Sequence, residues 1–209
     1  DLVTGVQTCA LPIYSILDNL ITLDLANNHN GDLKHGIEAV KQFGDVCNNF
    51  DIKCAIKYQF RNIDTFIHKD YLNRDDIPHI PWFKKSYLSN DDYHILTDEI
   101  KKQNFVTMAT PFDEDSIPLI KSLDLDIIKI ASCSFRDKPL VDAVSKLNKP
   151  VIASTAGASL KEIDHVVQVF ESQNLNFALM HCVAIYPTPS DKFNLNQIKI
   201  LKNRYPDIN

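Results

Sequence analysis

Short apolar runs rich in β-branched residues alternate strictly with longer amphipathic stretches, and this alternation constrains the fold more than any other feature of the chain. Strands are expected over Leu20–Ala26, Lys53–Gln59, Phe105–Ala109, Asp126–Ala131, Pro150–Thr155 and Asn176–Cys182. Helices are expected over Asp32–Asn48, Asn90–Gln103, Glu114–Leu123, Lys138–Leu147, Ser159–Gln173 and Asn194–Arg204. Strand starts at 105, 126, 150 and 176 are 21, 24 and 26 residues apart, the repeat length of consecutive βα units in a parallel sheet. Local start and stop signals agree. Ser159 stands three residues before Glu162 with capping-box spacing, Ser89 or Asn90 can cap the helix that follows, and Asn148 can end one ahead of Pro150.

Two α/β architectures can be wound this way, an open doubly wound sheet and a (β/α)8 TIM barrel. The first usually announces itself with a GxGxxG turn after an early strand, and the chain's five glycines are nowhere so arranged. The second places functional groups at the carboxyl ends of many different strands. Here those ends carry Asn28 and His29, Lys57 and Gln59, Thr110, Lys129 and Ser132, Ser154 and Thr155, and His181. The expectation is therefore a TIM barrel with about six of its eight βα units present, over residues 14–209. A piece with two open sheet edges is expected to aggregate and to be inactive by itself.

Composition narrows the function classes. Of 209 residues, 44% are hydrophobic and 23% charged, enough to bury a core, and the formal charge of −5 with scattered basic residues argues against a nucleic-acid surface. Charges such as Asp18, Asp24 and Asp32 interrupt every apolar stretch, so no membrane span is expected. Five cysteines without a CxxC pair suggest neither a disulfide framework nor a zinc knuckle, and a reduced, cytoplasmic protein is the default. Residues 1–13 have no helical or strand period and no basic leader region. They read as translated sequencing-adapter sequence foreign to the protein, and Cys9 goes with them. Residues 60–89 form a long insert after the second strand, loaded with Phe60, Phe66, Tyr71, Trp82, Phe83 and Tyr87. It is expected to be an ordered lid over the strand ends, with a packing or dimer surface as the alternative.

Lys57 and Lys129 are the residues that most suggest chemistry. An ammonium pointing into a parallel sheet is costly unless it meets an anion or serves as an amine nucleophile. With Thr110, Ser132, Ser154 and Thr155 nearby in the pattern, they suit a phosphorylated or carboxylated small molecule. A class I Schiff-base aldolase and a non-catalytic sugar-phosphate-binding barrel remain alternatives. Asp24, inside the first strand, needs a partner such as a lysine or a metal. His29 and His181 are the histidines expected to reach the site, although either could be a structural group. Cys133 and Cys182 read as core thiols.

Leu23-Asp-Leu-Ala-Asn-Asn-His-Asn-Gly31, Ile56-Lys-Tyr-Gln59, Thr110-Pro-Phe112, Ile128-Lys-Ile-Ala-Ser132, Ser154-Thr155 and Leu179-Met-His-Cys182 with Tyr186-Pro-Thr-Pro189 resemble, in that order, the N-acetylneuraminate (sialic acid) synthase family. The resemblance implies a TIM barrel that condenses phosphoenolpyruvate with an N-acylated amino-sugar aldehyde, giving a nonulosonic acid and phosphate. It implies a divalent metal, usually manganese, whose histidine ligands fall beyond residue 209. It also implies a following antifreeze-like domain and a homodimer. By the same resemblance Asp24, Lys57 and Lys129 are catalytic, and Gln59, Thr110, Ser132, Ser154 and Tyr186 bind substrate. Asn28, His29 and His181 are further candidates. The chain departs from the family pattern at Asp24, commonly glutamate, at Cys133 and Ser134, commonly glycine and glutamate, and at Ala184, often asparagine.

Overall fold

The computed structural model describes residues 15–50 and 52–208, so the leader reading of residues 1–13 lies outside the described residues. Strand β1 (Ile21–Ala26) is followed by helix α1 (Leu33–Cys47) and β2 (Cys54–Phe60). The insert then forms two short helices, α2 (Ile63–Phe66) and α3 (His79–Lys85), before α4 (Asn90–Lys102). The rest alternates as β3 (Val106–Pro111), α5 (Ile117–Leu123), β4 (Ile127–Ile130), α6 (Lys138–Ser145), β5 (Val151–Ser154), α7 (Leu160–Ser172), β6 (Phe177–Met180) and α8 (Asn196–Arg204). All six expected strands and all six expected helices are present, with ends that differ by up to three residues; β2 and β3 run on to Phe60 and Pro111. Glu114–Ser116 is a 3₁₀ turn leading into α5.

Side-chain oxygens begin the helices where the sequence offers them. Asp32 caps α1 and Asp137 caps α6, while Ser89 with Asp92 and Ser159 with Glu162 form reciprocal capping boxes on α4 and α7. The returns into the strands use an unglycined solution. Asn104, Asp124, Asn148 and Asn174, after α4, α5, α6 and α7, take left-handed conformations with φ between 46° and 62°. Short polar side chains tolerate that region, which is how a chain with few glycines closes four αβ turns.

The six strands are parallel and hydrogen-bonded in sequence order, β1 to β6. Because strand side chains alternate, each strand has two characters. Ile56, Tyr58, Ala109, Ile128, Ile130, Val151, Ala153 and Phe177 join Val40, Leu96, Ile120, Leu140, Val166 and Leu201 from the helices in one large core. Ala55, Met108 and Ile127 face the other way into a small cluster with Ile16, Leu17, Leu20, Val106 and Ile152 and no helix residue. The helices that follow the strands pack on one side of the sheet, and leave the opposite face for this minor cluster and the polar strand ends above it.

The insert is packed down on the turn after β1, at the carboxyl ends of the first strands. Gly31, at φ +73°, lies so close to the Lys85 carbonyl that a Cβ would sit 2.3 Å from the oxygen, so only glycine fits. Asn27 Nδ2 donates to Ser86 Oγ at 3.0 Å across the same contact. Among the described residues no helix is long and apolar enough to cross a membrane.

Candidate functional site

The helix-free face carries the candidate site near the carboxyl ends of β1 to β5. Alternation puts Asp24, Lys57, Gln59, Thr110, Lys129 and Ser154 on it, with Cys182 just past β6. Asp24 and Lys57 are level in the β1–β2 pairing, as are Gln59 and Thr110 in β2–β3. Lys57 Nζ donates to Asp24 Oδ2 at 2.9 Å; the lysine side chain is 12% exposed and the aspartate 50%.

Lys129 is held differently. Its Nζ donates to Ser154 Oγ at 2.5 Å and to the Ile130 carbonyl at 2.8 Å, with no carboxylate of the described residues in contact. Burial pushes the ammonium down from the ordinary 10.5 to about 8 and outweighs the opposing pull of Cys182; Lys57 adds a smaller push downward, and Asp24 and Cys133 smaller pulls upward. Cys182 Sγ lies 3.4 Å from the same Ser154 oxygen. Thr110 is 2% exposed and its Oγ1 has no hydrogen-bond partner. Two ammonium groups, a serine and an unpaired hydroxyl against one half-exposed carboxylate make a face that attracts a multiply charged small anion.

Other expected site residues are placed elsewhere. Ser132 Oγ accepts from the Ala156 amide at 3.3 Å and holds the loop after β5. Tyr186 is 93% exposed on the loop after β6. Asn28 is exposed at the β1 turn, where its carbonyl accepts from Asn30 Nδ2. His29 does not reach this face. It is fully buried on the helix side, edge-on to Tyr93 at 5.9 Å, and its Nδ1 accepts from the Gly31 amide. Burial lowers its pKa from 6.5 to about 4 and keeps it neutral. His181 also points outward: it shares a face with Leu179 against α8, and Nε2 meets the Phe193 carbonyl at 2.8 Å. The parity of β6 explains the correction, since 178, 180 and 182 share the inner face. Cys182 is thus a site thiol, Cys133 is exposed, and among the described residues the buried thiols are Cys47 and Cys54.

Sequence reasoning missed Asn27 and Arg61. Ala26, at φ 46°, and a register shift between Asp24 and Ala26 turn the chain at the top of β1, so that Asn27 rather than Asn28 is buried. Arg61, one residue past β2, lies among Phe66 and Phe83 of the insert and Phe112 after β3, with Phe112 3.7 Å from its guanidinium carbon. An arginine among phenylalanines two residues after a strand-end glutamine was the available signal. A cavity of about 720 Å³ opens between the insert and the strand ends, lined in part by Asn27, Gln59, Arg61, Asn73 and Lys84. Among the described residues no three His, Cys, Asp or Glu side chains gather as a metal set, so a resident divalent ion does not fit these residues alone.

A model of the NeuB family matches residues 49–209. The chain is 33% identical over 180 residues to the uncharacterized protein MJ1065 of Methanocaldococcus jannaschii, covering 84% of this chain and 49% of that protein. It is 30% identical over 199 residues to the N-acetylneuraminate-9-phosphate synthase of Drosophila melanogaster, covering 90% of this chain and 51% of that enzyme. Among solved structures, the N-acetylneuraminic acid (sialic acid) synthetase of Leptospira borgpetersenii superposes with a TM-score of 0.76 at 27% identity, covering 90% of this chain and 61% of that one. The chain spans about half the length of the curated relatives it matches.

Proposed function

Because this chain belongs to the NeuB family, we propose that the whole protein containing it condenses phosphoenolpyruvate with an N-acylated amino-sugar aldehyde to form a nonulosonic acid and phosphate. The observation that carries the reading is that Lys57 and Lys129 share one face of a parallel sheet with, among the described residues, only the Asp24 carboxylate beside them. Phosphoenolpyruvate brings a carboxylate and a phosphate, and two strand-end ammonium groups with the Thr110 and Ser154 hydroxyls are suited to hold both.

In this reading Lys129 and Ser154 bind one anionic group and Lys57 the other. They fix the enolpyruvate so that its C3 meets the aldehyde carbon of the acceptor. The new C–C bond forms there, water adds at C2, and phosphate leaves with cleavage of the C2–O bond. Placing two reactants in contact supplies much of the rate, and the fixed cations stabilise the phosphate as it departs. Gln59, Ser132 and Tyr186 are assigned to substrate binding by the family resemblance. The fold of the whole domain is proposed as a (β/α)8 barrel, with residues 14–209 its first six βα units. Its cofactor is proposed as a divalent metal, manganese by the same resemblance, with ligands outside the described residues. A cytoplasmic homodimer completes the proposal.

The test is acceptor-dependent phosphate release by the purified whole protein, using phosphoenolpyruvate labelled with ¹⁸O at the bridging position and N-acetylmannosamine as the first acceptor of an N-acyl amino-sugar series. Label recovered in phosphate supports the reading. Phosphoenolpyruvate binding with no release across the series would make the protein a non-catalytic relative instead.

A further inference from the structure

Gln59 stands near the top of β2, level with Thr110, and its amide has two ends of opposite chemistry: Oε1 accepts and Nε2 donates. Arg61 chooses between them. Its Nη2 lies 3.2 Å from Gln59 Oε1, and a guanidinium can only donate, so the amide oxygen must face the arginine. Both hydrogens on Nε2 are then the free end.

Arg61 is itself immobilised by three rings from three segments. Phe112, after β3, lies 3.7 Å from the guanidinium carbon, Phe83 of α3 lies 4.6 Å away, and Phe66 of α2 lies 5.7 Å away. No carboxylate of the described residues touches it. Asp113, the nearby acid, is engaged by the Asn62 amide and by the Ser116 amide and hydroxyl. Arg61 Nε and Nη1 are buried without polar partners, so Nη2 is the one side-chain nitrogen of this residue with a hydrogen bond in the structure. Filling a phenylalanine cage requires no charge, and an apolar side chain would do it at lower cost. What the charge adds is the bond to Gln59.

We propose that Arg61 is a positioning residue: it locks the Gln59 amide so that Nε2 donates to an oxygen of the acceptor substrate at the strand ends. The inference rests on the condensation reading above for the identity of that substrate. It also places the insert in the reaction, because α2 and α3 supply two walls of the cage.

The experiment uses the whole protein, the variants Arg61→Met, Arg61→Lys and Gln59→Ala, and N-acetylmannosamine as acceptor. Arg61→Met keeps the stem and fills the cage while removing the donors. It is expected to raise the acceptor KM about tenfold, the cost of freeing a long amide side chain, with kcat and the phosphoenolpyruvate KM changed far less. Arg61→Lys is expected to recover part of the loss. In the double variant with Gln59→Ala, Arg61→Met should add nothing further. Equal losses in kcat and both KM values, or multiplying effects in the double variant, would make Arg61 merely structural and overturn the proposal. A readout independent of turnover separates its failure from that of the condensation reading. The side-chain NH₂ pair of Gln59, assigned by its disappearance in Gln59→Ala, should be shifted from the averaged glutamine position in the wild type and return to it in Arg61→Met. A wild-type pair already at the averaged position overturns the proposal whether or not the protein is active.

Discussion

Lys57 and Lys129 occupy equivalent strand-end positions on one face of one sheet, yet their surroundings differ. Lys57, on β2, faces a carboxylate from the edge strand β1 at 2.9 Å, and that carboxylate is half in water. Lys129, on β4, likewise lies between two strands but has only a hydroxyl and a carbonyl to donate to. The first charge is neutralised within the protein. The second is left to be neutralised by what binds. A cation that pays for its burial in this way is evidence for an anionic ligand, whereas an ion pair at a sheet edge is neutral on the question.

The largest test of this difference is Lys129→Met in the whole protein. Acceptor-dependent phosphate release should fall about 1000-fold or more, while the melting temperature at pH 7 rises by a few degrees. The sign follows from linkage. The folded-state pKa of about 8 lies below the ordinary 10.5, so at neutral pH the ammonium opposes folding, and that cost fades as pH rises from about 8 to 10.5. A lower melting temperature would mean that its two hydrogen bonds outweigh its desolvation.

Next in size is a control from the helix side of the sheet. His29 is also buried without a charged partner, but no ligand can reach it. With its pKa lowered from 6.5 to about 4, the stability it supports is complete above pH 6.5 and is lost as pH falls toward 4, by roughly 3 kcal/mol at most. Denaturant melts of His29→Asn across this range should lack that loss, whatever the variant's absolute stability. An unchanged acid limb would assign it to carboxylates instead.

A smaller effect is expected in the pH profile of phosphoenolpyruvate binding. Affinity should decline above about pH 8, approaching tenfold per unit, as Lys129 loses its proton, and Lys129→Arg should flatten the decline. Calorimetric titration between pH 7 and 9.5 reads this directly, and a flat wild-type profile would erase the distinction between the two lysines. Smallest of all, Asp24→Asn should strengthen phosphoenolpyruvate binding severalfold by releasing Lys57, with stability changed by less than about 1 kcal/mol because the carboxylate is half in water. Weaker binding in that variant would show Asp24 acting on the ligand rather than on the lysine.

Sequence reading succeeded where one residue's effect is local. The strand and helix order, the capping boxes at Ser89 and Ser159, and the left-handed stop at Asn148 all follow from period, hydrogen-bonding groups and backbone preference within a few residues. It failed where parity and distant packing decide. His181 and Cys182 are adjacent in the chain, and only the pairing of β6 with β5 shows which of them faces Ser154. Asn27 and Asn28 are separated in the same way by the irregular end of β1.

By itself, then, the sequence determined the α/β alternation, the helix ends and the residue types available at each strand end, because these depend on neighbours along the chain. Tertiary structure decided that Lys57 meets Asp24 while Lys129 meets Ser154, that His29 turns toward Tyr93, and that Arg61 is caged by Phe66, Phe83 and Phe112. The physical reason is that burial and pairing depend on what other segments bring within a few ångströms. Dielectric surroundings, unlike backbone preference, are not a property of any residue alone.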